Sequence, residues 1–343
     1  MTPTQKHERT PTHLAQQRTD WVDVAKGVGI IAVVIGHAIG GMIDAGITGK
    51  VSLWATAYHL IYTVHMPMFF IISGLFISKR VSGGALIFAK NSTIRLARPY
   101  VIWFAISMVA INFAGNTANT PYQVTWQDYL SILWKPGAHF WYIYALMVLN
   151  IVSAIILPRY GSAVLLGLSL AAFSLTAELQ IPAAFWGATH FGFYYALGVL
   201  YGEQSNQPKT TRSLHRSERW MLAVALSFLW CWGASDMLKN NISRWTFSST
   251  DVSLCGAVAT LMWCMFVKGQ LQRWLSSLGQ QSLAIYMMHV LFVAGARITL
   301  AQKMHVQDPI LIFCVITCLG IFGPLACKWM TDKLGWSDRL GLA

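Results

Sequence analysis

Two ionisable side chains share one face of the first long apolar run in this 343-residue chain. They are Lys26 and His37, in Asp23-Val-Ala-Lys26-Gly-Val-Gly-Ile-Ile-Ala-Val-Val-Ile-Gly-His37, and the run continues to Asp44. Eleven residues of helix turn through about 1100°, three full turns, so both side chains point the same way about 16 Å apart along the axis. Asp23 and Asp44 lie fourteen and seven residues from His37 and complete a polar stripe along the helix. A neutral imidazole at such a position can take a proton from a hydroxyl or carry an acyl group itself. The plainer reading makes Lys26 and Asp23 interface anchors and His37 a hydrogen-bonding partner for a neighbouring helix. The shared stripe favours chemistry, because ionisable groups inside a membrane are costly and mark function. Gly27, Gly36, Gly40 and Gly41 allow a neighbour or a ligand to come close to the backbone.

The second pattern is Lys90-Asn-Ser-Thr-Ile-Arg95-Leu-Ala-Arg98-Pro99-Tyr100. Arg95 and Arg98 are i,i+3 neighbours on a helix, and Pro99 suits the first turn of a following span. Paired guanidiniums bind phosphate in bidentate fashion, so Lys90, Arg95 and Arg98 are candidates for a phosphate-bearing ligand. On spacing alone, ordinary topology anchors explain them better. The same holds for Arg212, Arg216 and Arg219.

Other candidates stand singly. His65-Met-Pro67-Met-Phe-Phe-Ile-Ile-Ser73-Gly74 puts His65, Pro67 and Ser73 within an apolar run, where Pro67 frees a backbone carbonyl. His139-Phe-Trp141-Tyr142 opens a later run at the outer surface and reads as an interface belt. Tyr286-Met-Met-His289 places two polar side chains on one helical face. No HxxxH or HxxE spacing points to a metal, so none is expected. No phosphate-binding glycine loop, nucleophile elbow or haem motif is present.

The elements that hold these residues are set by composition. The chain is 55% hydrophobic and only 11% charged, with 15 Trp, 12 Tyr and 17 Phe, and its mean hydropathy is +0.49. That balance is foreign to soluble domains and predicts an all-α polytopic membrane protein. Its bilayer-crossing runs of about 20 residues fall at 22–44, 53–78, 99–115, 140–157, 162–178, 184–202, 219–236, 250–267, 281–300 and 309–330. The fourth and fifth runs meet at Pro158–Gly161 as a tight hairpin. In the outer loop 116–139, Thr125 to Trp134 reads as a short interfacial helix capped by Thr125.

Lys and Arg fall in every second loop, 19 against 6. Lys79, Arg80, Lys90, Arg95, Arg98, Lys328 and Lys333 lie on the basic side, with Lys50, Lys135, Lys239, Arg244, Arg297 and Lys303 opposite. By the positive-inside rule both termini face the cytoplasm. The net charge of +12 is therefore orientation, and no nucleic acid is expected as a partner. Residues 1–20 form a polar cytoplasmic tail, 21–332 the membrane domain and 333–343 a second cytoplasmic tail. Cys231, Cys255, Cys264, Cys314, Cys318 and Cys327 read as small apolar residues.

These segments, taken in order, resemble the membrane-bound acyltransferase-3 family. The resemblance lies in the opening helix with a basic residue ahead of a His, the Pro-x-Phe-Phe and Ser-Gly of the second run, and the pair Arg95-Leu-Ala-Arg98-Pro-Tyr. The His139-Phe-Trp-Tyr segment and Gly279-Gln-Gln-Ser-Leu-Ala-Ile-Tyr-Met-Met-His289 extend it. It implies transfer of an acyl group, usually acetyl, from cytoplasmic acetyl-CoA or another acyl-CoA to a carbohydrate or lipid-linked glycan. By the same resemblance His37 is the catalytic candidate, with Lys26 and Asp23 on its helix, and Arg95 and Arg98 hold the coenzyme. A bacterial cytoplasmic membrane is the expected location. Lys26 stands where the family often has Arg, which removes bidentate contacts there. The competing readings are a proton-coupled transporter using Lys26, His37 and His289, and a non-catalytic subunit of a polysaccharide export system.

Overall fold

Each apolar run expected to cross a membrane is largely helical over its described residues. The computed structural model describes residues 11–115, 124–176, 181–206, 215–240, 242 and 249–342, and among them no strand forms. The helices are α1 (Pro11–Asp44), α2 (Leu53–Gly74), α3 (Ile77–Ser82), α4 (Ala85–Ala114), α5 (Trp126–Leu130), α6 (Trp141–Leu175) and α7 (Ala183–Asn206). They continue with α8 (Arg216–Lys239), α9 (Thr250–Cys264), α10 (Gly269–Gln280), α11 (Ser282–Arg297) and α12 (Pro309–Lys333). Lys6, Arg9, Lys209, Arg212 and Arg244 lie outside the described residues.

Seven of the described helical segments are long and apolar enough to cross a bilayer: Asp20–Asp44, Leu53–Ser82, Ala85–Ala114, Trp141–Leu175, Arg216–Lys239, Ser282–Lys303 and Pro309–Lys333. The sequence gives ten runs, and the difference has local causes. Trp141–Leu175 contains two of them, broken at Gly161, whose φ of 74° and ψ of 178° are not helical. A glycine tolerates that conformation without a Cβ clash. The chain turns back there, because Leu149 before the break and Ser169 after it both lie within 3.5 Å of one point, the Cβ position of Gly192 on α7. A straight helix would hold residues 149 and 169 about 30 Å apart. Of the other two runs, α9 has only 15 residues and α7 is long but less apolar. The chain is a multi-pass membrane protein.

α1 occupies the centre, packed against α2, α9, α10, α11 and α12. On its far side α2 meets α7, and α7 carries both arms of α6. Bare backbone makes these contacts close. A Cβ on Gly198 or Gly202 of α7 would strike the carbonyl oxygen of Ile71 on α2 or of Leu75 just past its end, and one on Gly74 would strike that of Tyr195. In a bilayer, where burial of apolar surface does not drive helices together, such small-residue seams supply the packing.

Two features differ from expectation. α10 was not foreseen; its 12 residues are too short to span, but it buries Leu275, Leu278 and Gly279 against α1. Pro99 does not start a helix. α4 begins at Ala85, so Lys90, Arg95 and Arg98 precede a proline in mid-helix. Residues past α12 fold onto α4, where the Trp103 indole donates to the Leu340 carbonyl at 3.2 Å and Gly341 abuts the Pro99 ring. The short helix expected after Thr125 is present as α5, and the Thr125 backbone N–H and hydroxyl donate to the Asp128 carboxylate at 2.7 and 2.6 Å.

Candidate functional site

Three imidazoles from distant parts of the chain meet in the bundle. His37 on α1 and His289 on α11 have ring centroids 4.9 Å apart. His139, in the 3-10 turn Ala138–Phe140 ahead of α6, lies 6.1 Å from His37 and 5.1 Å from His289. His289 is fully buried and His139 is 4% exposed, whereas His37 is half-buried. His37 is therefore the member of the cluster with an open side, next to Tyr62 at 6.3 Å.

The local fold explains each placement. α1 brings Gly36 and Gly40 against the rings of Tyr62 and Tyr58, each 3.0 Å from the Cβ position, so α2 lies flush on the His37 face. The segment before α6 is drawn inward by hydrogen bonds from the Tyr100 and Tyr144 hydroxyls to the carbonyls of Ile132 and Leu133, at 2.7 and 2.9 Å. Phe140 next to His139 has no exposure and packs on Phe104 and Tyr100. This overturns the expectation that His139 and Trp141 belong to an interface belt. Trp141 instead packs on Phe70, Phe191 and Trp186 within the bundle. On α11, Tyr286 donates its hydroxyl to the His139 carbonyl and ties the turn to the helix that carries His289.

The tautomer of His289 follows from its contacts. Its Nδ1 lies 2.8 Å from the Tyr286 carbonyl and 3.1 Å from that of Ile285. A carbonyl oxygen only accepts, so Nδ1 carries the hydrogen. In the neutral ring Nε2 then holds a bare lone pair, and this atom is buried without a hydrogen-bond partner. Buried polar atoms are nearly always paired, and an exception calls for a functional or strain-based reason. A proton-accepting nitrogen beside His37 is such a reason.

The remaining candidates form two outer layers. Tyr142 sits 5.5 Å from Tyr286, and its hydroxyl shares a 3.0 Å hydrogen bond with Ser73, which also donates to the Phe69 carbonyl at 2.8 Å. His65 is 2% exposed, donates Nδ1–H to the Ile61 carbonyl at 2.7 Å and stacks edge-on to Tyr62. Ser73 and His65 thus reach the cluster through Tyr142 and Tyr62.

Nearer the start of α1 the picture changes. Lys26 and Asp23 form an ion pair at 3.1 Å, and Gln280 of α10 donates to the other Asp23 oxygen at 3.4 Å. Lys26 and Asp23 are about 16 and 21 Å from His37 by helix rise, so the stripe joins the two ends without bringing them into contact. On α4, Lys90, Arg95 and Arg98 are exposed. The spacing did not reveal that Arg80, on α3, faces Arg95 closely enough for their charges to interact, with Tyr195 behind it. Lys79-Arg80 directly after the Ser73-Gly74 run was the available signal. Tyr62 was also missed, although it lies three residues before His65 on the helix that faces His37.

Among the described residues no group of three or more His, Cys, Asp or Glu side chains could hold a metal ion. The described cysteines are all unpaired, with Cys264 buried and Cys231, Cys314 and Cys318 exposed.

The chain is similar over nearly its whole length to the nodulation protein NolL of Sinorhizobium fredii, with 26% identity across 95% of this chain and 92% of NolL. No solved structure matches it. A transporter or a non-catalytic export subunit is not favoured by the match that remains, which is to the acyltransferase domain model over residues 19–329. That span takes in α1, with its histidine, through most of α12, and the chain belongs to the acyltransferase-3 family.

Proposed function

We propose that this protein is an O-acyltransferase of the bacterial cytoplasmic membrane. It moves an acyl group, acetyl foremost, from cytoplasmic acyl-CoA to a hydroxyl of a cell-envelope or exported carbohydrate, free or lipid-linked. The observation that carries this reading is the imidazole cluster, with the open side of His37 and the bare Nε2 of His289 next to it.

In this reading His37 is the general base. The acceptor hydroxyl gives its proton to the imidazole, and its oxygen attacks the thioester carbonyl carbon. The carbon–sulfur bond breaks, and the sulfur leaves with the proton as free thiol. His289 sits behind His37 as a second acceptor for that proton, and Tyr286 fixes His139 and α11 relative to each other. Arg95 and Arg98, joined by Arg80 and Lys90, offer guanidinium and ammonium charge for the coenzyme phosphates. Asp23 and Lys26 hold the inner end of α1 on that same side, so their part lies with the donor rather than with bond breaking.

The topology belongs to the same reading. Taking the two arms of α6 separately, α1, α2, α4, α6 (twice), α7, α8, α9, α11 and α12 make ten crossings, with both termini cytoplasmic. The basic residues on every second connection support that orientation.

The test is thiol release. Purified protein given acetyl-CoA and a polysaccharide acceptor should liberate free thiol in step with ester formed on the acceptor. A transporter or an export subunit would bind or move ligand and release none, and that outcome would overturn the proposal.

A further inference from the structure

A second polar feature sits one turn outward from His37, and the mechanism above does not use it. Arg297 ends α11 and is 3% exposed, yet its Nη1 is buried without a hydrogen-bond partner. The opposite charge facing it is Asp44 at the end of α1. No ion pair within 4.0 Å joins these two described residues. A guanidinium carries five N–H donors and is never neutral in a protein, so a buried one short of a partner calls for an acceptor group.

The surroundings form a place for such a group. Arg297 lines a cleft of about 310 Å³ with Ala45, Ile47, Ala301, Gln302 and Val306. Arg297 lies against Gly41 of α1, with Nε 3.7 Å from the Cβ position there, an ordinary contact distance. Directly after Arg297 the helix widens into a π-helical turn, Ile298–Lys303, and His305 takes a left-handed φ of 54°. π turns inside helical proteins cluster at functional sites, and a non-glycine residue in the left-handed region is uncommon. Gly41 is four residues beyond His37 and on the same face, so Arg297 stands about 6 Å outward of the imidazole along α1. That offset is close to the width of one sugar ring.

We infer that Arg297 and its cleft bind an oxyanion carried by the acceptor, a carboxylate or a phosphate about one sugar residue from the hydroxyl that is acylated. This rests on the reading of His37 as the reacting centre for its orientation, but not for its binding chemistry. Bidentate contact from the guanidinium selects a planar or tetrahedral oxyanion. The apolar walls from Ile47, Ala301 and Val306 suit the face of a sugar.

The experiment measures binding to purified full-length protein, without turnover. The probes are glucuronate, glucose 1-phosphate and glucose. At least one anionic sugar should bind at least ten-fold tighter than glucose, and which one does so identifies carboxylate or phosphate as the source of charge. Arg297→Gln should lose that preference, Arg297→Lys should keep part of it, and His37→Ala should leave it intact. Equal binding of all three sugars by the wild type would overturn the inference, as would an Arg297→Gln protein that still prefers the anion. Should Arg297→Gln fail to fold, the wild-type preference and its weakening in Arg297→Lys decide. A wild-type protein that prefers the anion but, in a separate assay, transfers no acyl group would sink the proposed reaction and leave the oxyanion site standing.

Discussion

The two ends of α1 carry similar polar residues in opposite circumstances. Toward the N-terminal end Asp23 and Lys26 satisfy each other at 3.1 Å, Gln280 completes Asp23, and the pair is partly exposed. Farther along α1, His37 meets two more imidazoles, and buried nitrogens of both, those of His139 and Nε2 of His289, have no hydrogen-bond partner. Both ends read alike as polar marks on an apolar helix. What separates them is satisfaction: paired charges stabilise a helix junction, whereas a bare lone pair held in a bundle is available for proton transfer.

Removing the second imidazole should break the outer end most severely. His289→Ala takes away the bare Nε2 and should lower acyl transfer by about 10²–10⁴-fold, the span typical of losing a proton-transfer group. Coenzyme affinity should stay unchanged, because the basic residues of α4 are untouched. Steady-state transfer rates with a parallel binding titration check both halves. A variant that keeps most of its rate would make His289 a packing residue.

The donor side should respond in binding instead. Arg95→Ala with Arg98→Ala removes two charge-assisted contacts at about 1.5–3 kcal/mol each. Coenzyme affinity should therefore fall by at least ten-fold, and Lys at both positions should rescue only in part. A double variant that binds acetyl-CoA as well as the wild type would reduce both arginines to topology anchors.

Packing at the inner end can be tested apart from chemistry. A Cβ on Gly279 would run into the Asp23 carbonyl, so Gly279→Val should cost about 1–3 kcal/mol as an overpacked contact. The melting temperature of the purified protein should fall, while the rate per folded molecule holds. The smallest effect is expected at the ion pair itself. Lys26→Met should cost only about 0.2–0.5 kcal/mol of stability, the range for an i,i+3 pair on a helix surface. At saturating donor its rate should stay near the wild type. A rate loss as deep as that of His289→Ala would show that the inner end takes part in the chemical step.

Much of this was written locally in the chain and could be read there. The membrane runs follow from apolar length, the hairpin from Pro158 and Gly161, and the His37 stripe from helical periodicity. The site itself is not local. His139 and His289 are separated by 150 residues of sequence and join His37 only because the turn before α6 is pulled inward by Tyr100 and Tyr144. Nothing in the spacing of His139-Phe-Trp-Tyr distinguishes a belt at the lipid surface from a turn inserted in the bundle. α10 escaped notice because a 12-residue amphipathic helix is shorter than any span. Pro99 was misread because a proline suits a helix start in general, whereas here the helix continues across it and the chain end packs on its ring. Arg297 read as a mark of orientation, since burial and the lack of a partner for Nη1 are properties of the folded bundle.

The account turns on whether His37 acts through its basicity, and His37→Gln tests that with little change of shape. Glutamine keeps a hydrogen-bonding side chain at the site but cannot take up and release a proton at neutral pH. Both His37→Gln and His37→Ala should insert and purify normally, because losing one hydrogen bond inside a membrane protein costs about 0.6 kcal/mol on average. Both should bind acetyl-CoA as the wild type does and transfer acyl groups at least 10²-fold more slowly, the lower bound for a lost general base. A His37→Gln protein that acylates its acceptor at close to the wild-type rate would contradict the account and move the base to His289 or His65.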